Sequence, residues 1–213
     1  MKFIQENDAE ILKRQFAEYS GDVNFIYFKK DEDCETCGIA QDLLKEVEAL
    51  SDKINLTVYD YDNDSEQVEK YGIDKVPALV IEGEKDYGLR FYGVPSGYEF
   101  NSLLNAMVNV SNGNIGLPGV ITEDLDKINK DIHVQVFVTP TCPHCPNAVK
   151  TAQNFAMYSG RIKADMVEVS EFPDLAKKYQ IMSVPKVVIN ENIDFVGALG
   201  DREYLEKILE ANA

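Results

Sequence analysis

Basic residues are scarce in this chain: 21 Lys and Arg stand against 37 Asp and Glu among 213 residues, a formal net charge of −16. Nucleic acid and anionic membrane surfaces both demand basic patches, so neither is an expected partner, and the excess charge serves solubility. Long apolar runs are missing too. No stretch approaches the roughly 18 apolar residues that a membrane-spanning helix needs. The amino terminus meets Glu6 and Asp8 at once and holds no apolar core of a signal peptide, so the expected location is the cytoplasm. No Gly-x-Gly-x-x-Gly fingerprint occurs, which argues against bound flavin or nicotinamide. Only four cysteines are present. In a reducing compartment such a small set is more often catalytic or metal-binding than a structural staple.

What is there is organised around those cysteines. All four lie in two Cys-x-x-Cys motifs, Cys34-Glu35-Thr36-Cys37 and Cys142-Pro143-His144-Cys145. The motifs are 108 positions apart (142 − 34), and a Val-Pro dipeptide follows each at the same distance, with Pro77 and Pro185 both 43 residues beyond the first cysteine. Each motif follows a hydrophobic run rich in aromatic and β-branched residues (Val23 to Phe28, His133 to Val138) and precedes a stretch with apolar residues at helical spacing. The remaining order is strand, short helix and hairpin, closed by a helix. It occurs twice, as an internal duplication. At the offset of 108, Tyr71 falls on Tyr179, Ile73 on Ile181, Val76 on Val184 and Asp60 on Glu168.

The expected fold class is therefore α/β, as two tandem units, each a central mixed sheet flanked by helices. Right-handed crossover makes the first two long strands of each unit parallel neighbours. Ser111 to Gly119 is the most turn-rich stretch and marks the boundary, giving units 1–114 and 115–213. It also carries Ile115 and Leu117, which are expected to pack across the junction. Helix starts are expected at Asp8, Ser65 and Thr122 as caps, with Cys34 and Cys142 near the N-caps of the helices they open.

Cys-x-x-Cys at a strand-to-helix junction supplies an attacking and a resolving thiol. The orphan N–H groups and dipole of the helix N-terminus favour a thiolate on the first cysteine, and the second lies close enough to close a disulfide. Such a pair can attack a disulfide, hold it as a mixed intermediate and resolve it. With these surroundings each unit resembles a thioredoxin fold. The tandem resembles the glutaredoxin-like protein disulfide oxidoreductases of thermophilic bacteria and archaea, over nearly the whole chain.

The resemblance implies that Cys34 and Cys142 attack and Cys37 and Cys145 resolve. It implies that Pro77 and Pro185 are cis prolines facing the motifs, which exposes the backbone of Val76 and Val184 for pairing with a bound peptide. No metal or organic cofactor is implied. The expected partners are protein disulfides and dithiols, with a thioredoxin-reductase-like flavoprotein as electron donor. Thioredoxin-like proteins also keep a buried carboxylate beneath the disulfide. The usual strand position is apolar here, at Phe28 and Val136, so Asp60 and Glu168 stand as the candidate proton acceptors. Gly200-Asp201 is similar to a glutathione-contact position of glutaredoxins.

The two motifs are not equivalent. His144 lies between the cysteines of the second, where an imidazolium stabilises the Cys142 thiolate. Cys-Pro-His-Cys is also similar to the motif of strongly oxidising periplasmic disulfide oxidases. The first motif holds Glu35 and follows Asp31, Glu32 and Asp33, like charges that disfavour a thiolate. The reading is thiol–disulfide exchange on proteins, with Cys142/Cys145 as principal site.

Three alternatives bear on it. A four-cysteine zinc site needs the two motifs to converge from separate units. An electron-relay module between a flavoprotein reductase and a peroxidase keeps the fold, since paired thioredoxin folds also form the amino-terminal domain of alkyl hydroperoxide reductase flavoproteins. Loss of one motif would favour the relay, and both remain. A peptide-binding chaperone leaves the cysteines idle. Titrating both attacking thiols by pH-dependent alkylation should give Cys142 the lower pKa; a lower value for Cys34 overturns the ranking.

Overall fold

The computed structural model describes residues 2–113 and 115–213. Asn114, at the expected boundary, and Met1 lie outside the described residues. The first half runs α1 (Glu6–Ala17), β1 (Val23–Lys29), α2 (Cys37–Glu48), β2 (Ile54–Asp60), α3 (Ser65–Tyr71), β3 (Ala78–Glu82), β4 (Asp86–Tyr92) and α4 (Glu99–Asn112). The second runs α5 (Gly119–Leu125), β5 (Ile132–Val138), α6 (Cys145–Tyr158), β6 (Ile162–Glu168), α7 (Pro173–Lys178), β7 (Lys186–Ile189), β8 (Ile193–Val196) and α8 (Asp201–Asn212). The duplication read from the sequence is the architecture. Among the described residues no helix is long and apolar enough to cross a membrane.

Local chemistry places the elements with small shifts. Gly72 stops α3 in the left-handed conformation, and Gly113 does the same for α4. The expected caps are displaced: Gln5, Asp64 and Pro118 hold the N-cap positions of α1, α3 and α5, one to four residues ahead of Asp8, Ser65 and Thr122. None of the three makes a side-chain capping bond, so tertiary packing rather than a cap sets those starts. β1 pairs with β2 and β5 with β6 in parallel, as right-handed crossover requires.

The two sheets, which the sequence presents as separate, are joined. β4 pairs in parallel with β6 (Leu89 with Ala164 through Tyr92 with Val167), giving one eight-stranded sheet of order β2-β1-β3-β4-β6-β5-β7-β8. Each half alone would leave β4 or β6 as an unpaired edge, and joining them satisfies both. The core follows suit. On one face, a single apolar cluster runs from Leu12, Phe16 and Phe25 through Leu103 and Met107 to Val136, Phe155 and Ile208, with Ile115 and Leu117 packed against it. The other face buries Phe28, Tyr71, Tyr92, Phe137 and Val167.

This topology aligns strand directions. β1 and β4 are each antiparallel to β3, and β4, β6 and β5 run parallel in turn, so β1, β4, β5 and β6 all end on the same side of the sheet. Both motifs, which follow β1 and β5, therefore sit at one rim. The loop after β4 runs between them. Gly97 there has φ +60, and its neighbour Tyr98 donates its N–H to the Pro140 carbonyl at 2.9 Å, just ahead of Cys142. A Cβ on Gly97 would collide with that carbonyl. Glu99 begins α4 with only 1% exposure; its Oε2 accepts from the Ser102 hydroxyl at 2.6 Å and its Oε1 has no partner. Burial raises its pKa to about 7.

Two outcomes follow for stability. Gly97→Ala combines left-handed strain with the backbone clash and should cost about 2–4 kcal/mol in chemical denaturation. Gly38→Ala is the contrast: the site is helical, with nothing near the added Cβ, so a gain of about 0.5–1 kcal/mol is expected. For Glu99 the folded pKa lies above the unfolded one, so its protonated form stabilises the fold at low pH and that contribution fades as pH rises from about 4.5 to about 7. Relative to Glu99→Gln, the wild-type chain should lose about 1–3 kcal/mol across that window; parallel stability–pH curves refute the assignment.

Candidate active site

Both cysteine pairs are closed as disulfides, with Cα atoms 5.5 Å apart in each. Among the described residues, no group of three or more His, Cys, Asp or Glu side chains is arranged to hold a metal ion. The helices begin at the resolving cysteines Cys37 and Cys145, with Thr36 and His144 at the N-caps. The attacking cysteines thus lie in the turn before the helix, two residues earlier than the sequence placed them relative to the cap. The pairs differ in exposure: Cys34 is half-buried, Cys142 is 7% exposed, and both resolving cysteines are buried.

Each motif has its own hydrogen-bond environment. The Cys145 N–H at the start of α6 donates to Cys142 Sγ at 3.1 Å. That is the backbone donor a thiolate at this position needs. His144 is exposed beside it. In the first motif, the Tyr27 hydroxyl donates to the Cys37 carbonyl at 2.7 Å, and Thr36 donates to Glu171 Oε2. Glu171 comes from the other half of the chain.

Sequence reasoning missed Tyr27 through a slip of one residue. The motifs are offset by 108, but β1 and β5 are offset by 109, because four residues (30–33) precede Cys34 after β1 whereas three (139–141) precede Cys142 after β5. Asp33 takes up part of the extra length at φ +57. Phe28 therefore corresponds to Phe137, and both point to the far face; the counterpart of Val136, on the motif face, is Tyr27. The longer loop was the available signal.

The remaining predicted residues fall as follows. Val76-Pro77 and Val184-Pro185 are both cis. Their carbonyls accept equivalent bonds, Gly93 N–H to Pro77 at 3.0 Å and Gly197 N–H to Pro185 at 2.8 Å. Asp60 and Glu168 occupy matching register positions opposite Lys29 and Val138, yet their carboxylates differ. Asp60 Oδ1 accepts from the N–H groups of Asp62 and Asn63 at 2.9 and 3.0 Å, holding a turn. Glu168 is 4% exposed; its Oε2 accepts from the Glu171 N–H at 3.0 Å, and its Oε1 is buried without a partner. Asp201 accepts from Thr151 at 3.1 Å, so its carboxylate ties α8 to α6.

Comparison with known proteins meets this geometry. The Thioredoxin domain model matches residues 28–105 and 132–210. The chain is 31% identical over 172 residues to the AhpF-type alkyl hydroperoxide reductase of Xanthomonas campestris pv. phaseoli, covering 81% of this chain and 31% of that protein. It thus spans about a third of the length of such relatives. Among solved structures, a protein disulfide oxidoreductase from Aeropyrum pernix superposes with TM-score 0.91 at 29% identity, covering 100% of this chain and 94% of the other. The NTD N/C domain of alkylhydroperoxide reductase AhpF from Enterococcus faecalis gives TM-score 0.87 at 31% identity, covering 99% and 100%. With both halves matched and both halves carrying a disulfide-forming Cys-x-x-Cys, the chain belongs to the thioredoxin-domain family, as two such domains in tandem.

Proposed function

We propose that the chain is a thiol–disulfide oxidoreductase acting on protein disulfides and dithiols, built as units 1–114 and 115–213, with Cys142/Cys145 as principal site. The observation that carries this reading is the Cys145 N–H aimed at Cys142 Sγ at 3.1 Å. No equivalent donor to Cys34 sulfur occurs among the described residues. With the pair reduced, the Cys142 thiolate attacks one sulfur of a substrate disulfide. A mixed disulfide forms and the first substrate thiolate leaves. Cys145 then loses its proton and attacks Cys142 Sγ; the Cys142–Cys145 disulfide forms and the second substrate thiolate leaves, having gained two electrons in all. Run backwards, the same steps oxidise a dithiol. The dithiols carry the electrons, so no metal or organic cofactor enters.

His144, exposed at the head of α6, adds positive charge beside Cys142 when protonated. Val76 and Val184 offer backbone next to Pro77 and Pro185 for strand-like pairing with an extended substrate. Glu168 and Asp60 are the proposed proton acceptors for the resolving thiols, and Glu168 is better fitted, being buried with one oxygen without a partner. Cys34/Cys37 serves as the second, weaker couple.

A second reading has its own support. The likeness to AhpF-type alkyl hydroperoxide reductases, in sequence and in the structure of the AhpF domain, fits an electron relay between a flavoprotein reductase and a peroxidase. The thiol chemistry is the same and only the final acceptor differs. In either role the chain is proposed to work in the cytoplasm, with a thioredoxin-reductase-like flavoprotein as donor.

Insulin-disulfide reduction driven by dithiothreitol separates the sites. Cys142→Ser/Cys145→Ser should lose at least tenfold in rate, and Cys34→Ser/Cys37→Ser no more than about threefold. Full activity in both variants would reject exchange. Equal loss in both would reject the ranking of sites. Activity on a peroxidase disulfide far above that on insulin would select the relay.

A further inference from the structure

The acidic character of the first motif looks, in sequence, like its own property. In the structure Asp31, Glu32, Asp33 and Glu35 are all exposed. Lys29 is engaged with Asp31 and Lys30 with Asp62. Solvent and salt screen such charges strongly. The better-placed negative group is Glu171, in the connection between β6 and α7 of the second half. It is held at three points. Thr36, between Cys34 and Cys37, donates its hydroxyl to Oε2. The Val94 N–H donates to Oε1 at 2.7 Å. The Glu171 N–H itself donates to Glu168 Oε2 at 3.0 Å, seating a second carboxylate beside it.

The fit is built into the backbone. Gly93 has φ +91, and a Cβ there would lie 2.7 Å from both Glu171 Oε1 and Glu168 Cβ, so only glycine leaves room for the pair. Among the described residues neither carboxylate has an ion-pair partner. Burial raises the Glu171 pKa, against the hydrogen bonds from Thr36 and Val94 and with the Glu168 charge. Tyr27, whose hydroxyl holds the Cys37 carbonyl, is pushed upward chiefly by burial and then by the charge of Glu171. The carboxylate therefore faces the motif from both the turn and the strand beneath it.

We propose that Glu171 is the positioning residue of the Cys34/Cys37 site, supplied by the other thioredoxin domain: through Thr36 it holds the turn between the cysteines, and its charge keeps Cys34 in the thiol form. The proposal rests on the reading that this pair exchanges, and it makes the poise of the first site a property of the tandem. A lone first domain would lack it.

The test uses the full reduced chain. Iodoacetamide alkylation of Cys34 and Cys142 is followed against pH by peptide mass spectrometry in wild type, Glu171→Gln and Thr36→Val. Glu171→Gln keeps the shape and can keep the Val94 bond but removes the charge. Cys34 should alkylate three- to tenfold faster below its pKa, a shift of about 0.5–1 unit, with Cys142 unmoved. Glu171→Asp, which restores the charge, should return Cys34 toward wild type. Thr36→Val, which severs the tether without touching Glu171, should move Cys34 the same way by less, and it decides the matter if Glu171→Gln does not fold. An unmoved Cys34, or Cys34 and Cys142 moving together, overturns the proposal. Insulin reduction tests exchange separately: a shifted Cys34 in a chain inactive on insulin retains this assignment and rejects the other.

Discussion

The pairing of β4 with β6 is the constraint on which the rest of the molecule depends. Two edge strands that would each expose a row of backbone N–H and C=O groups instead satisfy one another, and two sheets become one. Parallel pairing, as opposed to antiparallel, brings the carboxyl ends of β4 and β6 together. The loops that leave those ends, Gly93 to Tyr98 and Val169 to Phe172, consequently meet. One loop reaches Pro140 ahead of the second motif, and the other reaches Thr36 inside the first. Without that pairing, neither loop would be held against the opposite motif.

The duplication supplies two similar scaffolds, and the junction makes them unequal. At Cys142 the local helix start provides a sulfur acceptor with a backbone donor, and the pair is nearly closed off from solvent. At Cys34 the surroundings are a half-open turn, a strand tyrosine and a carboxylate from the other half. A buried carboxylate acts on a nearby thiol more strongly than several exposed ones, because less water lies between them. Division of labour between the two couples thus has a physical basis beyond the residues inside each motif.

Much of this was legible in the sequence because it rests on local spacing. Two Cys-x-x-Cys motifs with a proline 43 residues downstream of each, strands of alternating or continuous apolar character, and stop glycines are short-range signals that tertiary context rarely overrides. Asp60 and Glu168 do share a register position, as the repeat implied. Their different environments were invisible, since Asp60 turns back on its own loop while Glu168 is enclosed at the junction. The caps at Asp8, Ser65 and Thr122 were displaced because packing outweighs a modest capping preference. Tyr27 was overlooked because one inserted loop residue changes which face of a strand a position occupies.

By itself, the sequence determined the two thioredoxin domains, the four cysteines as the chemistry, and the scarcity of basic residues for nucleic acid. These depend on residue type and on separations of a few tens of positions. Only the tertiary structure decided that the domains share one sheet, and that Glu171, 135 residues from Thr36, completes the first motif. Contacts between distant residues are fixed by how strand edges and loop lengths close in space, which no local pattern encodes.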